Sequence, residues 1–155
     1  MSPTDKIETE SAFIALIEAT VGSVFAYRPE YDWVGVYLLE DDLLTVRREH
    51  YIGQTTDSDR IPLTEGICGA AAREKQTIVV DDVNNDPRYI ACSLTVKSEI
   101  VVPIMSGDKV IGVLDLDSDT PAAFGDSDRT YLENVAAELA RAWEQEQGAG
   151  DPIAP

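Results

Sequence analysis

The sequence predicts an α+β domain, in which an antiparallel sheet carries the terminal helices on one face and loops on the other. Apolar residues recur at helical spacing near both ends of the chain, and the strand-like segments between them return through short turns. The 155 residues suit one domain with a single core. We assign residues 1–147 to this domain and expect residues 148–155, GAGDPIAP, to form a disordered tail.

The first half of the chain reads as a helix followed by a hairpin. A helix is predicted over about residues 8–27, because Phe13, Ile17 and Val21 share one helical face. The segment WVGVYLLE, which starts at Trp33, is β-branched and aromatic and is predicted to be a strand. It turns at two aspartates into a second predicted strand, LLTVRREHYI.

The second half contains a short helix, a strand, a second hairpin and a long helix. The short helix is predicted over about residues 66–75 and the strand over TIVVDDV. SEIVVPI and VIGVLDLDS are expected to pair through the turn MSGDK. Both are apolar on both faces and are therefore predicted to be central strands. The last helix, in FGDSDRTYLENVAAELARAWEQ, can be capped by Asp126 or Ser127.

The charge balance excludes several partners. The chain has 29 acidic and 12 basic residues, and its formal net charge of −17 repels nucleic acids and anionic membranes. We interpret the dispersed acids and scarce lysines as an adaptation to high salt, where charge repulsion is screened; an ordinary acidic protein is the alternative. The sequence contains no transmembrane run and no secretory signal at its start, so we expect a cytoplasmic location.

The two cysteines, Cys68 and Cys92, do not suggest a structural disulfide in a cytoplasmic domain. Their spacing matches no zinc motif, and the single histidine, His50, is expected at a strand end. We therefore predict no metal site and no bound cofactor.

Three acids are expected to form a cation site. Asp115 and Asp117 are two residues apart on a strand and point to one face, with Ile111 and Val113 preceding them on that face. A hairpin centred near Gly107 places Glu99 opposite about residue 115. Buried carboxylates are costly without a cationic partner, and a substrate ammonium would be one. The alternative is that the strand ends reach solvent.

The cysteines and two aromatic residues are further candidates. Cys68 lies near a predicted helix N-terminus, where backbone amides lower a thiol pKa. Cys92 lies on a loop just before Glu99 and can reach the same pocket. Trp33 and Tyr37 share one strand face and can form a wall of an apolar pocket. The alternative for all four is an ordinary buried position.

Five segments together resemble a GAF domain: WVGVYLLE, IPLTEGICGAA, YIACS…SEIVVPI, VIGVLDLDS and FGDSDRTYLENVAAELA. The combined GxCG, IAC, SEIV and LDxDS motifs are similar to those of the free methionine-(R)-sulfoxide reductases, which are single GAF domains. The resemblance implies a loop-covered pocket and an oxidoreductase that reduces free methionine-(R)-sulfoxide. Together with the amphipathic terminal helices it is compatible with a homodimer.

The resemblance also implies a role for each candidate residue. Cys92 is the nucleophile that becomes a sulfenic acid, and a second cysteine condenses with it to a disulfide that thioredoxin or another external thiol reduces. The acids hold the substrate ammonium and sulfoxide, and the aromatics surround the methyl group. The acids with the first role are Glu99, Asp115 and Asp117. The aromatics with the second role are Trp33 and Tyr37.

The chain departs from the family pattern at three positions. Ser58 occupies the position of a third cysteine that often resolves the sulfenic acid, so Cys68 or an external thiol would have to do so. Tyr89 and Ser93 replace a histidine and an aspartate beside Cys92. The missing cysteine leaves a second interpretation open, in which the chain is a non-catalytic GAF small-molecule sensor or a redox-signalling domain.

Overall fold

The structure, a computed structural model, describes residues 11–90 and 95–149. Within these residues the chain forms three helices, two short 3-10 turns (Arg48–His50 and Val83–Asn85) and seven strands. The helices are α1 (Ala12–Phe25), α2 (Gly66–Glu74) and α3 (Asp126–Ala149). The strands are β1 (Trp33–Glu40), β2 (Leu43–Thr45), β3 (Tyr51–Ile52), β4 (Arg60–Pro62), β5 (Ile78–Val80), β6 (Ser98–Ser106) and β7 (Lys109–Ser118).

All seven strands belong to one antiparallel sheet with the order β4-β2-β1-β7-β6-β5, and β3 pairs with β1. The predicted α+β class is confirmed. Strands β6 and β7 are buried over most of their length and lie inside the sheet, as their two apolar faces predicted.

Helices α1 and α3 cover one face of the sheet, where they pack on residues such as Val34, Ile100 and Leu114. Helix α2 and the connecting loops cover the opposite face, where Tyr37, Val101 and Val113 are buried. The functional candidates within the described ranges lie on this second face, which we call the loop face. No helix in the described ranges combines the length and the hydropathy needed to cross a bilayer.

The predicted second strand, LLTVRREHYI, is wrong as a continuous element. Strand β2 ends at Thr45, a 3-10 turn follows at Arg48–His50, and only Tyr51–Ile52 pairs again with β1. The charged run Arg47–Glu49 interrupts the alternation that a half-buried strand needs. His50 is buried at the end of the 3-10 turn, directly before the first residue of β3.

Both long helices differ from the prediction at their starts. Helix α1 begins at Ala12, where Ser11 Oγ accepts a hydrogen bond from the Ile14 N–H; residues 8–10 lie outside the described ranges. Helix α3 begins at Asp126, so the predicted caps, Asp126 and Ser127, lie in its first turn. The side chain that accepts a hydrogen bond at this helix start is the Asp128 carboxylate, from the Gly125 N–H.

The other boundaries are closer to the prediction. Helix α2 ends at Glu74, one residue before the predicted end, and strand β5 covers only the centre of TIVVDDV. Helix α3 continues to Ala149, into the segment 148–155 that was assigned to the tail. Residues 150–155 lie outside the described ranges.

A bulge in the β6–β7 hairpin changes the predicted register. The pairs Ser106↔Lys109 and Met105↔Val110 are followed by Ile104↔Gly112, so that β7 contains one extra residue. The turn is centred between Gly107 and Asp108, and together with the bulge this places Glu99 opposite Asp117, not residue 115 as predicted. The extra residue, Ile111, packs with the helices on the other face, so the prediction that it shares a face with the aspartates is also wrong.

A buried carboxylate joins the start of α3 to the chain between α1 and β1. Asp128 accepts hydrogen bonds from the Arg28 guanidinium, the Tyr31 hydroxyl and the Gly125 N–H. Burial opposes ionisation of Asp128, but these hydrogen bonds outweigh it and lower its pKa. The charge of the Asp128 carboxylate is thus stabilised by hydrogen-bond donors of the protein itself.

Replacing Asp128 with alanine is expected to lower the free energy of unfolding by about 2–3 kcal/mol at pH 7, because a charged acceptor with three donors is lost. A carboxylate with a lowered pKa stabilises the fold above the unfolded-state pKa of about 3.9, and this contribution disappears as the pH falls through the folded-state value. The gap between wild type and D128A should therefore close below about pH 4. Urea unfolding at several pH values measures both effects.

The matched control is Arg129→Ala, which removes only the exposed pair with Glu133. Such a pair contributes about 0.5 kcal/mol or less. Equal stabilities of D128A and R129A at pH 7 would contradict the structural role of Asp128.

Candidate functional site

Glu99, Asp115 and Asp117 meet at the centre of the loop face. Glu99 lies opposite Asp117 across the β6–β7 pairing, and Trp33 lies opposite Asp117 across the β1–β7 pairing. Asp115 is two residues from Asp117 on β7 and points to the same face. Only 6% of Glu99 and 3% of each aspartate are exposed. The predicted grouping of the three acids is confirmed, and they are not solvated strand ends.

The two aspartates have incompletely satisfied carboxylates. Asp115 Oδ1 and Asp117 Oδ1 are buried and have no hydrogen-bond partner in the described part of the chain. No lysine or arginine forms an ion pair with either of them within the same ranges. A buried charge without a counter-charge is costly, so this arrangement favours an incoming cation or proton.

The environment raises both aspartate pKa values. Burial is the main cause for Asp117; the neighbouring Asp115 charge adds to it, and a hydrogen bond from Glu99 opposes it. Burial also raises the pKa of Asp115, while hydrogen bonds from Glu99 and Cys68 oppose the change. A hydrogen bond between two carboxyl groups requires a shared proton. The ligand-free site thus holds protons more tightly than separate carboxyl groups in water.

Cys68 lies in the first turn of α2 and is 3% exposed. Its pKa is raised well above the ordinary value, first by burial and then by the charges of Asp115, Glu99 and Asp117, while its thiol donates to Asp115. The prediction that the helix N-terminus lowers this pKa is therefore wrong. The helix end supplies only about half a positive charge, which burial and three carboxyl groups outweigh.

A cavity of about 180 Å³ lies beside Trp33 and Asp117. A dry interior cavity of roughly 150 Å³ accommodates benzene, so this volume suits a small amino acid. The Trp33 indole forms a fixed wall, because its N–H donates to the Gln54 carbonyl at 3.0 Å and its ring stacks on Tyr51. The remaining lining residues are Asp32, Gln54, Thr56, Thr95, Val96 and Asp119.

Gly35 makes room for this wall. A Cβ atom at position 35 would lie 2.4 Å from the Trp33 ring, so any side chain there would push the indole away. The sequence contained the signal, since a glycine in the middle of an apolar strand marks a close approach.

A second, smaller cavity of about 20 Å³ lies beside Cys68, Glu99 and Asp115. Tyr37 also lines it, held by a hydrogen bond from its hydroxyl to the Ser58 carbonyl at 2.7 Å. Trp33 and Tyr37 are neighbours, with ring centroids 6.3 Å apart, but they border different cavities. Both rings thus lie on the face that carries the acids, while their predicted role in binding the substrate stays a prediction. Cys92 and Ser93 lie outside the described residues.

Several lining residues were not identified from the sequence. Asp32 and Asp119 flank β1 and β7, and the Asp32 carboxylate accepts from the Asp119 N–H at 2.7 Å. Asp32 is next to Trp33 in the sequence and Asp119 is two residues after Asp117. Once β1 is known to pair with β7, these positions indicate that both aspartates lie beside the cavity. Gln54, Thr56 and Thr95 come from irregular loops, which carry no comparable pattern.

Comparisons with known proteins agree with this geometry. The sequence model of the GAF domain family matches residues 16–143. The chain is 35% identical over 130 residues to the free methionine-R-sulfoxide reductase of Escherichia coli (strain K12), an alignment that covers 84% of this chain and 77% of that protein.

Two solved structures have the same fold. The free methionine-R-sulfoxide reductase from Neisseria meningitidis, in complex with its substrate, has a TM-score of 0.81 and 35% identity, over 94% of this chain and 86% of that one. The type II free methionine-R-sulfoxide reductase from Thermoplasma acidophilum has a TM-score of 0.81 and 34% identity, over 86% of this chain and 94% of that one. Most of this chain is thus similar to proteins named for one reaction.

The raised pKa of Asp117 predicts that this residue lowers the stability of the ligand-free protein at neutral pH. A carboxyl whose pKa is higher in the folded state costs nothing below the unfolded-state pKa of about 3.9, and the cost grows as the pH rises above it. Asp117→Asn is therefore expected to raise the free energy of unfolding by about 1–2 kcal/mol at pH 7. The gain should vanish near pH 4.

Denaturant unfolding of D117N, beside the exposed control Asp57→Asn, measures this effect. The control should change stability by less than about 0.5 kcal/mol. A D117N protein that is less stable than wild type at pH 7 would show that Asp117 has a stabilising partner in the ligand-free fold.

Proposed function

The chain belongs to the GAF domain family, and we propose that it reduces free methionine-(R)-sulfoxide to methionine. The observation that carries this proposal is the buried cluster of three acids, Glu99, Asp115 and Asp117, of which Asp117 lines a cavity of amino-acid size. The relatives from Escherichia coli and Neisseria meningitidis, which are named for this reaction, support the same conclusion.

The acids select a free amino acid. The ammonium of a free methionine sulfoxide would supply the positive charge that the two aspartates lack in the described part of the chain. A methionine sulfoxide within a polypeptide has an uncharged amide at this position and would leave the carboxylates unpaired. Leaving buried polar groups unpaired discriminates strongly between substrates. The reaction is therefore specific for the free amino acid.

The same acids have a second task at the sulfoxide oxygen. This oxygen becomes basic as the sulfur–oxygen bond breaks, and a carboxyl group with a raised pKa can donate a proton to it at neutral pH. Asp117 and Asp115 both have raised pKa values, mainly because of burial. One carboxylate thus binds the ammonium, while a protonated neighbour assists departure of the oxygen. Trp33 faces the methyl group in the larger cavity.

Cys92 is the proposed nucleophile. Its sulfur attacks the sulfoxide sulfur, the sulfur–oxygen bond of the sulfoxide breaks, and the oxygen is transferred to the cysteine as methionine leaves. The cysteine gives up the two electrons that reduce the sulfoxide and becomes a sulfenic acid. Ile90, before the segment 91–94, lines the smaller cavity, and Thr95 and Val96, after it, line the larger one. These flanking positions support a role for Cys92 beside the acids.

A second thiol then condenses with the sulfenic acid, which forms a disulfide and releases water. Cys68 is one candidate, but burial and the adjacent acids keep it as a neutral thiol, and the thiolate is the reactive form. An external thiol, such as that of thioredoxin, is the other candidate. Ser58 is half-buried at the position where the family resemblance has a cysteine. Resolution is therefore the slow step of the proposed cycle.

The activity is tested by measuring methionine formation from each sulfoxide diastereomer, with dithiothreitol or with thioredoxin, thioredoxin reductase and NADPH. We expect turnover of the free (R)-isomer, little turnover of the (S)-isomer or of N-acetylmethionine-(R)-sulfoxide, and none with Cys92→Ser. D117N should lower kcat/KM at least about 100-fold, since it removes a buried charge pair with the substrate. Failure of the folded wild type to form methionine with either reductant would overturn the proposal.

Replacing Ser58 with cysteine is expected to increase thioredoxin-dependent turnover several-fold, because it supplies a second candidate resolving thiol outside the acidic cluster. Ser58→Ala is the matched control and should leave the rate unchanged, since the Tyr37 hydroxyl donates to the backbone carbonyl of residue 58 and not to its side chain. Equal thioredoxin-dependent rates for S58C and S58A would show that resolution does not limit the cycle.

A further inference from the structure

We propose that Cys68, Glu99 and Asp115 bind a thiophilic divalent cation, of which Zn²⁺ is the principal example. One ligand atom from each residue, the Cys68 Sγ and two carboxylate oxygens, lies within 4.8 Å of the other two. All three side chains are buried. The three residues are far apart in the sequence, so they form no recognisable metal-binding motif. The zinc motifs considered in the sequence analysis, which depend on short spacings, therefore do not apply to this site.

The geometry requires only small movements. Zinc binds thiolate sulfur at about 2.3 Å and carboxylate oxygen at about 2.0–2.2 Å, so two ligand atoms on one tetrahedral ion are about 3.5 Å apart. The cavity of about 20 Å³ beside these three side chains has room for one ion. Rotations of the carboxyl groups toward this cavity would bring the ligand atoms to bonding distance.

The unsatisfied carboxylate oxygens provide an independent observation. Asp115 is 3% exposed, and its Oδ1 lacks a hydrogen-bond partner in the described part of the chain although the residue borders the cavity. Asp117 Oδ1 is in the same condition two residues further along β7. An ion bound by Asp115 would satisfy the first oxygen, and Asp117 or a water molecule can complete the coordination.

The ligand set determines which ions fit. A thiolate is a soft ligand that favours Zn²⁺ over the hard cations Mg²⁺ and Ca²⁺, which take oxygen ligands. Binding releases the Cys68 proton to solvent, and the doubly charged ion balances the buried negative charges. The structure thus assigns Cys68 a chemistry other than disulfide formation.

Metal and substrate would compete for the same acids. An ion bound to Glu99 and Asp115 would occupy carboxylates that the proposed reaction needs for the ammonium and the sulfoxide, so Zn²⁺ would inhibit turnover reversibly. Only this inhibition rests on the proposed function; the binding itself does not.

Co²⁺ added to the reduced, metal-free protein tests the site, because a cobalt–thiolate bond produces an intense near-ultraviolet charge-transfer absorption. We expect this absorption in wild type and in Cys92→Ser, displacement of Co²⁺ by an equivalent of Zn²⁺, and no displacement by excess Mg²⁺. Cys68→Ser should abolish the absorption. Glu99→Gln, which preserves the shape of the side chain, should weaken Co²⁺ binding at least about tenfold.

Absence of the absorption in folded wild type would overturn the proposal. The proposal would also be overturned if C92S lost the absorption and C68S kept it, because Cys92 would then be the thiolate ligand. Circular dichroism shows which variants are folded. If C68S does not fold, E99Q carries the test through thermal unfolding, where Zn²⁺ should raise Tm strongly in wild type and weakly in the variant; equal increases would overturn the site. A protein that binds Co²⁺ but does not reduce the sulfoxide would retain the metal site and lose the proposed function.

Discussion

The pairing of β7 with β1 on one side and β6 on the other is the constraint on which the site depends. It places Asp117 between Trp33 and Glu99, and it buries Asp115 on the same face. Strands in this position are normally apolar on both faces. Here the apolar pattern is interrupted at the start of β6, by Glu99, and near the end of β7, by Asp115 and Asp117. The loops and α2 cover the two aspartates without providing them with a basic partner in the described residues.

Two buried aspartates show how differently one fold treats carboxyl groups. Asp128 accepts hydrogen bonds from an arginine, a tyrosine and a backbone amide, which lower its pKa. Asp117 has a buried oxygen without a donor in the described ranges, and its pKa is raised mainly by burial. The first arrangement stabilises the fold. The second costs stability until a cation arrives, as expected for groups that are preorganised for a ligand.

Much of this could be predicted from the sequence, because periodic patterns report burial directly. The alternation in VIGVLDLDS placed Asp115 and Asp117 on one face, and the apolar faces of the hairpin identified its central strands. The bulge at Ile111 could not be predicted, since it depends on how the tight turn at Gly107 meets the twist of the sheet. The pKa of Cys68 was predicted wrongly because helix position is local, whereas burial and the three neighbouring acids come from distant segments.

In the proposed reaction, the substrate ammonium balances the charge of the buried acids. Calorimetric binding of L-methionine-(R)-sulfoxide to the Cys92→Ser protein, beside the analogue that lacks only the amino group, 4-(methylsulfinyl)butanoate, tests it most directly. We predict that the analogue binds at least about 30-fold more weakly, because truncating one partner of a buried charge pair costs about 2–5 kcal/mol. Equal affinities for the two compounds would show that the buried acids do not bind the ammonium.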